Sequence, residues 1–149
     1  MDKELYKIWK ELKPLEIEHQ DIIQQEGYLT GSSAFRCTTN GSDLDYLLLV
    51  ENTPDHSFFR DILENKIDFK YVCYSSDYRG EGYVSAYVKF MYSDKPINLL
   101  LFENIIDYRR WVWATRIMKI LLKSDTDFIN KIKDKKNRIN LFGVLKEIY

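Results

Sequence analysis

The sequence is poor in the residues that build disulfide frameworks and zinc sites, with two cysteines and two histidines among 149 residues. Cys37 and Cys73 lie far apart and form no CxxC pair, and His19 and His56 stand alone, which excludes a disulfide scaffold and a zinc centre as organising features. A reducing, cytoplasmic compartment is the default expectation. Long apolar runs are also missing. The longest fall well short of the roughly 20 residues that span a bilayer, and the opening MDKELYKIWKELK is charged throughout, so no membrane contact is expected. Neither sign of charge dominates: 22 basic and 23 acidic residues nearly cancel, leaving no overall field to recruit nucleic acid or anionic lipid. Three prolines and six glycines mark no linker, repeat or low-complexity segment.

What remains is a composition with 45% hydrophobic and 15% aromatic residues, enough to bury one core at this length. The expected organisation is a single domain over 1–149, with an N-terminal helix (1–26), a sheet core (27–103) and C-terminal helices (104–149). Leu5, Ile8, Trp9, Leu12, Leu15, Ile22 and Ile23 recur mostly at helical spacing, and Pro14 predicts a kink or break. After Gly27, Tyr28 to Thr30 reads as a short strand running into Gly31-Ser32-Ser33, where the serines suit the start of a helical turn. Residues 38–42 read as a polar turn, and Leu44 to Val50 is apolar enough to be a central strand.

Helical spacing returns over 55–65, whereas 69–74 and 83–92 are rich in aromatic and β-branched residues and predict strands flanking a loop. Ile97 to Phe102 predicts a further buried strand, 105–122 a helix, and 126–148 a last helical region with Gly143 as its weak point. This order of elements predicts an α/β (α+β) fold, a mixed sheet flanked by helices.

The chemistry concentrates at two short motifs. Gly31-Ser32 falls at the strand-to-helix turn, where glycine permits close backbone approach and free helix N–H groups favour a phosphate. Eleven residues beyond Ser32 comes Asp43-Leu44-Asp45, and strand alternation directs both carboxylates to one face and Leu44 to the other. Hard divalent ions take oxygen ligands and are commonly held by one or two carboxylates plus substrate phosphates. Asp43 and Asp45 are therefore the candidate metal ligands and catalytic residues, and Gly31, Ser32 and Ser33 the candidate nucleotide-binding turn.

Gly31-Ser32-Ser33-Ala34 followed by Ser42-Asp43-Leu44-Asp45-Tyr46-Leu47-Leu48 resembles the glycine-serine and aspartate-x-aspartate signature of the polymerase-beta-type nucleotidyltransferase superfamily. Arg110-Trp111-Val112-Trp113-Ala114-Thr115 and Asn140-Leu141-Phe142 are similar to segments of compact, stand-alone versions found among bacteriophage proteins. The resemblance implies a mixed sheet with flanking helices, two divalent ions (Mg²⁺ or Mn²⁺), a nucleoside triphosphate substrate, and transfer of NMP to an acceptor hydroxyl or phosphate. It also implies a third carboxylate on a later strand, and the matching position holds Asn98, with Glu103 or Asp94 as alternatives if the register differs. An amide ligates weakly and cannot act as a base. A degenerate protein that keeps the fold and binds nucleotide or a protein partner is thus the second reading.

Basic residues offer further candidates. Lys119 is the nucleotide-binding candidate among Arg109, Arg110, Arg116, Lys119 and Lys123, the cations that follow the third long strand. Arg36 reads as a solvated turn residue with phosphate contact as its alternative. Residues 131–138 read as a solvated basic helix face, with an RNA or DNA acceptor as the alternative. The acceptor class stays open among small molecule, RNA and protein, and a chain this short leaves a homodimer or a partner chain as ways to complete the cleft.

Overall fold

The computed structural model describes residues 3–15, 28–35, 42–80 and 82–149. The expected helical pattern through Ile22 and Ile23, Gly27, Arg36, Cys37 and most of the 38–42 turn lie outside the described residues. A five-stranded mixed sheet in the order β1-β2-β5-β4-β3 organises the molecule. Its strands are β1 (Tyr28–Thr30), β2 (Leu44–Leu49), β3 (Phe69–Ser75), β4 (Ala86–Tyr92) and β5 (Lys95–Phe102). β2 and β5 run parallel, and the other neighbours are antiparallel. The expected α+β class is what the chain adopts.

Helices cover both sides of the sheet. α1 (Lys3–Glu11) and α3 (His56–Glu64) pack on one face, where Ile8, Trp9, Phe59 and Leu63 meet Leu48, Val88, Phe90, Leu99 and Leu101. The one-turn α2 (Gly31–Ala34), α4 (Ile105–Ser124), α5 (Phe128–Ile132) and α6 (Lys135–Ile148) belong to the other, with Phe35, Trp111, Met118 and Phe142 against Leu47, Leu49, Leu100 and Phe102. Because both faces are covered, β5 is buried continuously from Ile97 to Phe102, which explains its near-unbroken apolar run. Full burial of side chains such as Phe59 and Leu63 contributes about 2 kcal/mol each to holding these layers together.

Local chemistry sets the boundaries. α1 stops before Pro14, which lacks an amide hydrogen and bridges to Val50 instead. Asn104 caps α4, its side chain accepting from the Ile106 and Asp107 amides. The expected helical region 126–148 divides in two, because the Asp134 carboxylate accepts from the Lys136 and Asn137 amides and starts α6 there. Gly143, the anticipated weak point, lies inside α6 with open space around it, and the helix continues through it. Among the described residues no helix is long and apolar enough to cross a membrane.

Candidate functional site

The site forms where β1 and α2 meet the start of β2. Asp45 stands directly opposite Thr30 on β1 and opposite Asn98 on β5, so these side chains leave the same face of the sheet. Asp43 and Asp45 both line a cavity of about 530 Å³ on that face, while Leu44 packs into the opposite core. The volume falls in the roughly 300–1,000 Å³ range of small-molecule sites. The register places Asn98 beside Asp45. Neither alternative takes its place: Glu103 accepts from the Thr53 amide at 3.0 Å beyond the far end of β5, and Asp94 sits in the tight turn between β4 and β5.

Gly31 holds the turn against the carboxylates. It adopts φ +72°, a left-handed conformation that only glycine enters without strain, and a Cβ on it would collide with Asp45 Oδ2. Ser32 lines the cavity. Ser33 does not; its hydroxyl donates to the Asp43 carbonyl at 3.3 Å and ties the turn to the strand. Behind the turn, Thr115 on α4 donates to the Trp111 carbonyl at 2.8 Å, so its single hydroxyl proton is committed. The Thr30 hydroxyl, 2.7 Å away and buried, must therefore donate to Thr115. This pins β1 to α4 and keeps the Thr30 side chain from capping α2.

Burial raises the Asp45 carboxyl from its usual 3.8 to about 6, and the neighbouring Asp43 charge adds to the rise. The Asn98 hydrogen bond, with Nδ2 donating to Asp45 Oδ1 at 3.1 Å, and the charges of Arg79 and Lys89 act in the opposite direction. Lys89, which faces Asn98 from β4, places Nζ 3.5 Å from Asp43 Oδ2. Asn98 is 3% exposed, and its amide oxygen is buried with no hydrogen-bond partner among the described residues.

The opposite wall of the cavity is cationic and aromatic. Lys133, Lys135 and Arg138, at the junction of α5 and α6, line it together with Arg79 from the β3–β4 connection. Deeper in, Lys146 is 7% exposed and holds its ammonium 4.2 Å over the Trp111 ring and 5.1 Å from that of Phe142. In the sequence 131–138 reads as a solvated basic helix face with nucleic-acid contact as its alternative; in the structure the Asp134 cap starts α6 within it, and Lys133, Lys135 and Arg138 line the same cavity as the carboxylates. Arg79 and Lys89 carried no sequence signal, since nothing local relates them to Asp43.

The remaining candidates are not brought together with these groups. Lys119 sits with Nζ 5.4 Å over the Tyr28 ring, its pKa lowered by burial, and is outside the cavity lining. Arg110 is spent on the C-terminus, donating to the Lys146 carbonyl at 2.6 Å and lying over the Tyr83 and Tyr149 rings.

The donor chemistry fits a hard divalent ion. Asp43 and Asp45 present carboxylates on one face, and the orphaned Asn98 amide oxygen lies in the same row. Among the described residues no three or more His, Cys, Asp or Glu side chains group to hold a metal, so any ion here depends on this pair and on ligand oxygens. Cations facing carboxylates across a small cavity suit a polyanion that carries a metal ion. No known protein-family model matches the chain, and no curated protein matches it.

Proposed function

We propose that this protein is a metal-dependent nucleotidyltransferase, which binds a nucleoside triphosphate with Mg²⁺ or Mn²⁺ and transfers NMP to an acceptor hydroxyl or phosphate. The observation that carries this reading is the division of one cavity between Asp43 and Asp45 on the sheet and Lys133, Lys135 and Arg138 on the helices. The Gly31-Ser32 turn supplies backbone amides to phosphate oxygens beside the carboxylates. Asp43 and Asp45 hold the ion, which when bound neutralises phosphate charge and polarises the phosphorus centre. Lys133, Lys135 and Arg138 offset the charge of the leaving pyrophosphate. Trp111 and Phe142, largely buried beneath Lys146, form the apolar end of the same cavity on the side left for the base.

The acceptor oxygen bonds to the α-phosphorus, the bond from that phosphorus to the bridging oxygen breaks, and pyrophosphate leaves with the electron pair. The acceptor proton passes to solvent, because the amide at Asn98 cannot take it. An acceptor that arrives already ionised, such as a phosphate, suits this chain best.

A specific observation favours a second reading, nucleotide binding without transfer. Where the resemblance calls for a third carboxylate the row holds Asn98, with Lys89 next to it. Incubation with each NTP labelled at the α-phosphate, Mg²⁺ or Mn²⁺, and RNA, protein and small-molecule acceptors separates the two. Label transfer with pyrophosphate release, lost in Asp43→Asn, supports the enzyme. Binding of a labelled nucleotide with no transfer to any acceptor supports the second reading.

A further inference from the structure

The row Asp45, Asn98 and Lys89 crosses three adjacent strands with each residue directly opposite the next, so its charges run negative, neutral, positive along one face of the sheet. Each acid has one oxygen already engaged: Asp45 Oδ1 accepts from the Asn98 amide at 3.1 Å, and Asp43 Oδ2 lies 3.5 Å from the Lys89 ammonium. Among the described residues the second oxygen of each carboxylate has no partner and is left for an ion, Asp45 Oδ2 being the one that lies against Gly31.

A second divalent ion on the β5–β4 side of the pair would meet an ammonium in place of a third acid. Like charges held a few ångströms apart in a half-buried site repel strongly, and the buried Asn98 amide offers only a neutral oxygen in compensation. Strand pairing fixes the Lys89 backbone opposite Asn98. Its side chain is 43% exposed and that of Asp43 31%, so the pair is neither freely solvated nor sealed in the core.

We propose that the Lys89 ammonium stands in for one of the two divalent ions that the resemblance implies, so that the carboxylate pair takes a single ion and Lys89 supplies the remaining positive charge. This rests on the reading of Asp43 and Asp45 as metal ligands. It makes Lys89 a determinant of metal stoichiometry and affinity, placed on β4 where nothing in the Asp43-Leu44-Asp45 motif announces it.

The test is Mn²⁺ binding by the intact protein, counted by the loss of the free-ion paramagnetic resonance signal, with no nucleotide present. The native protein is expected to bind one Mn²⁺, Lys89→Met to bind one about tenfold more tightly, Lys89→Arg to match the native affinity, and Lys89→Met with Asn98→Asp to bind two. Far-UV circular dichroism establishes that each variant is folded, and Lys89→Gln replaces Lys89→Met if the latter is not. Two ions in the native protein, or a neutral residue at 89 that leaves affinity unchanged within twofold, would overturn the inference while the carboxylate site stands. No Mn²⁺ bound by the native protein or by any variant would overturn the carboxylate site as well.

Discussion

Gly31 lies so close against Asp45 that a methyl group on its Cα would collide with the carboxylate oxygen Oδ2. The turn proposed to bind phosphate and the acid proposed to bind metal are therefore fitted to each other through one missing side chain. Gly31→Ala combines that collision with the strain of a left-handed conformation, φ +72°. It is expected to destabilise the protein by about 2 kcal/mol, read by denaturant unfolding, and to abolish nucleotide binding. In an Asp45→Ala background the collision with Oδ2 is gone and only the Cβ at position 45 stays close, at 3.3 Å, so the same change should cost about 1 kcal/mol, mostly from backbone strain. Equal costs in the two backgrounds would show that the turn and the acid are independent.

Asp45 makes stability depend on pH in a direction opposite to that of a paired surface carboxylate. Its folded-state pKa of about 6 lies above the usual 3.8, so the proton is bound more tightly in the folded protein. The resulting stability is fully present below the unfolded value and is lost as pH rises through about 6. Asp45→Asn removes the buried charge and should raise stability at pH 7.5 by about 1–3 kcal/mol, with the advantage shrinking toward pH 4. Thermal unfolding of both proteins across that range checks it; a variant less stable than the native protein at pH 7.5 would contradict the account.

The Thr30–Thr115 hydroxyl pair positions the turn from behind. Thr115→Val keeps the shape and strands the buried Thr30 hydroxyl, a loss of about 1–3 kcal/mol, whereas Thr115→Ser keeps the bond. Nucleotide affinity should fall in the valine variant and recover in the serine one, as read by the change in tryptophan fluorescence when nucleotide enters beside Trp111.

Much of the fold was legible because its signals are local. The alternation of Asp43-Leu44-Asp45 fixed which side chains share a face, and the apolar run from Ile97 announced a strand covered on both sides. Pro14 marked the end of α1. The cationic wall was not legible in the same way: 131–138 reads as a solvated stripe until the Asp134 cap splits the helical region and α6 packs against α4 and α5. Lys89 comes to 3.5 Å from Asp43, and Arg79 enters the lining of the same cavity, only through strand pairing and loop placement. Lys119 looked suitable by its position after β5, but its side chain lies over Tyr28 instead.

Lys133→Gln with Lys135→Gln removes two exposed cations from the cavity wall without touching the core. Triphosphate affinity should fall about tenfold or more, since charge-assisted contacts contribute roughly 1 kcal/mol or more each, while thermal stability without ligand stays within about 0.5 kcal/mol. If these lysines instead contact a nucleic acid, the variant keeps its nucleotide affinity and loses a salt-dependent affinity for RNA or DNA.

On the proposed reading, Asp43 and Asp45 hold a divalent ion shared with a nucleoside triphosphate. Thermal unfolding with each NTP, with and without Mg²⁺ or Mn²⁺, in the native protein and in Asp43→Asn, tests it most directly. A ligand at about 100 times its dissociation constant adds roughly 2.7 kcal/mol of stability. A metal-dependent stabilisation of that order is expected with at least one NTP and is expected to be absent from Asp43→Asn; equal stabilisation with and without metal, or an undiminished shift in the variant, would rule out a shared ion at this pair.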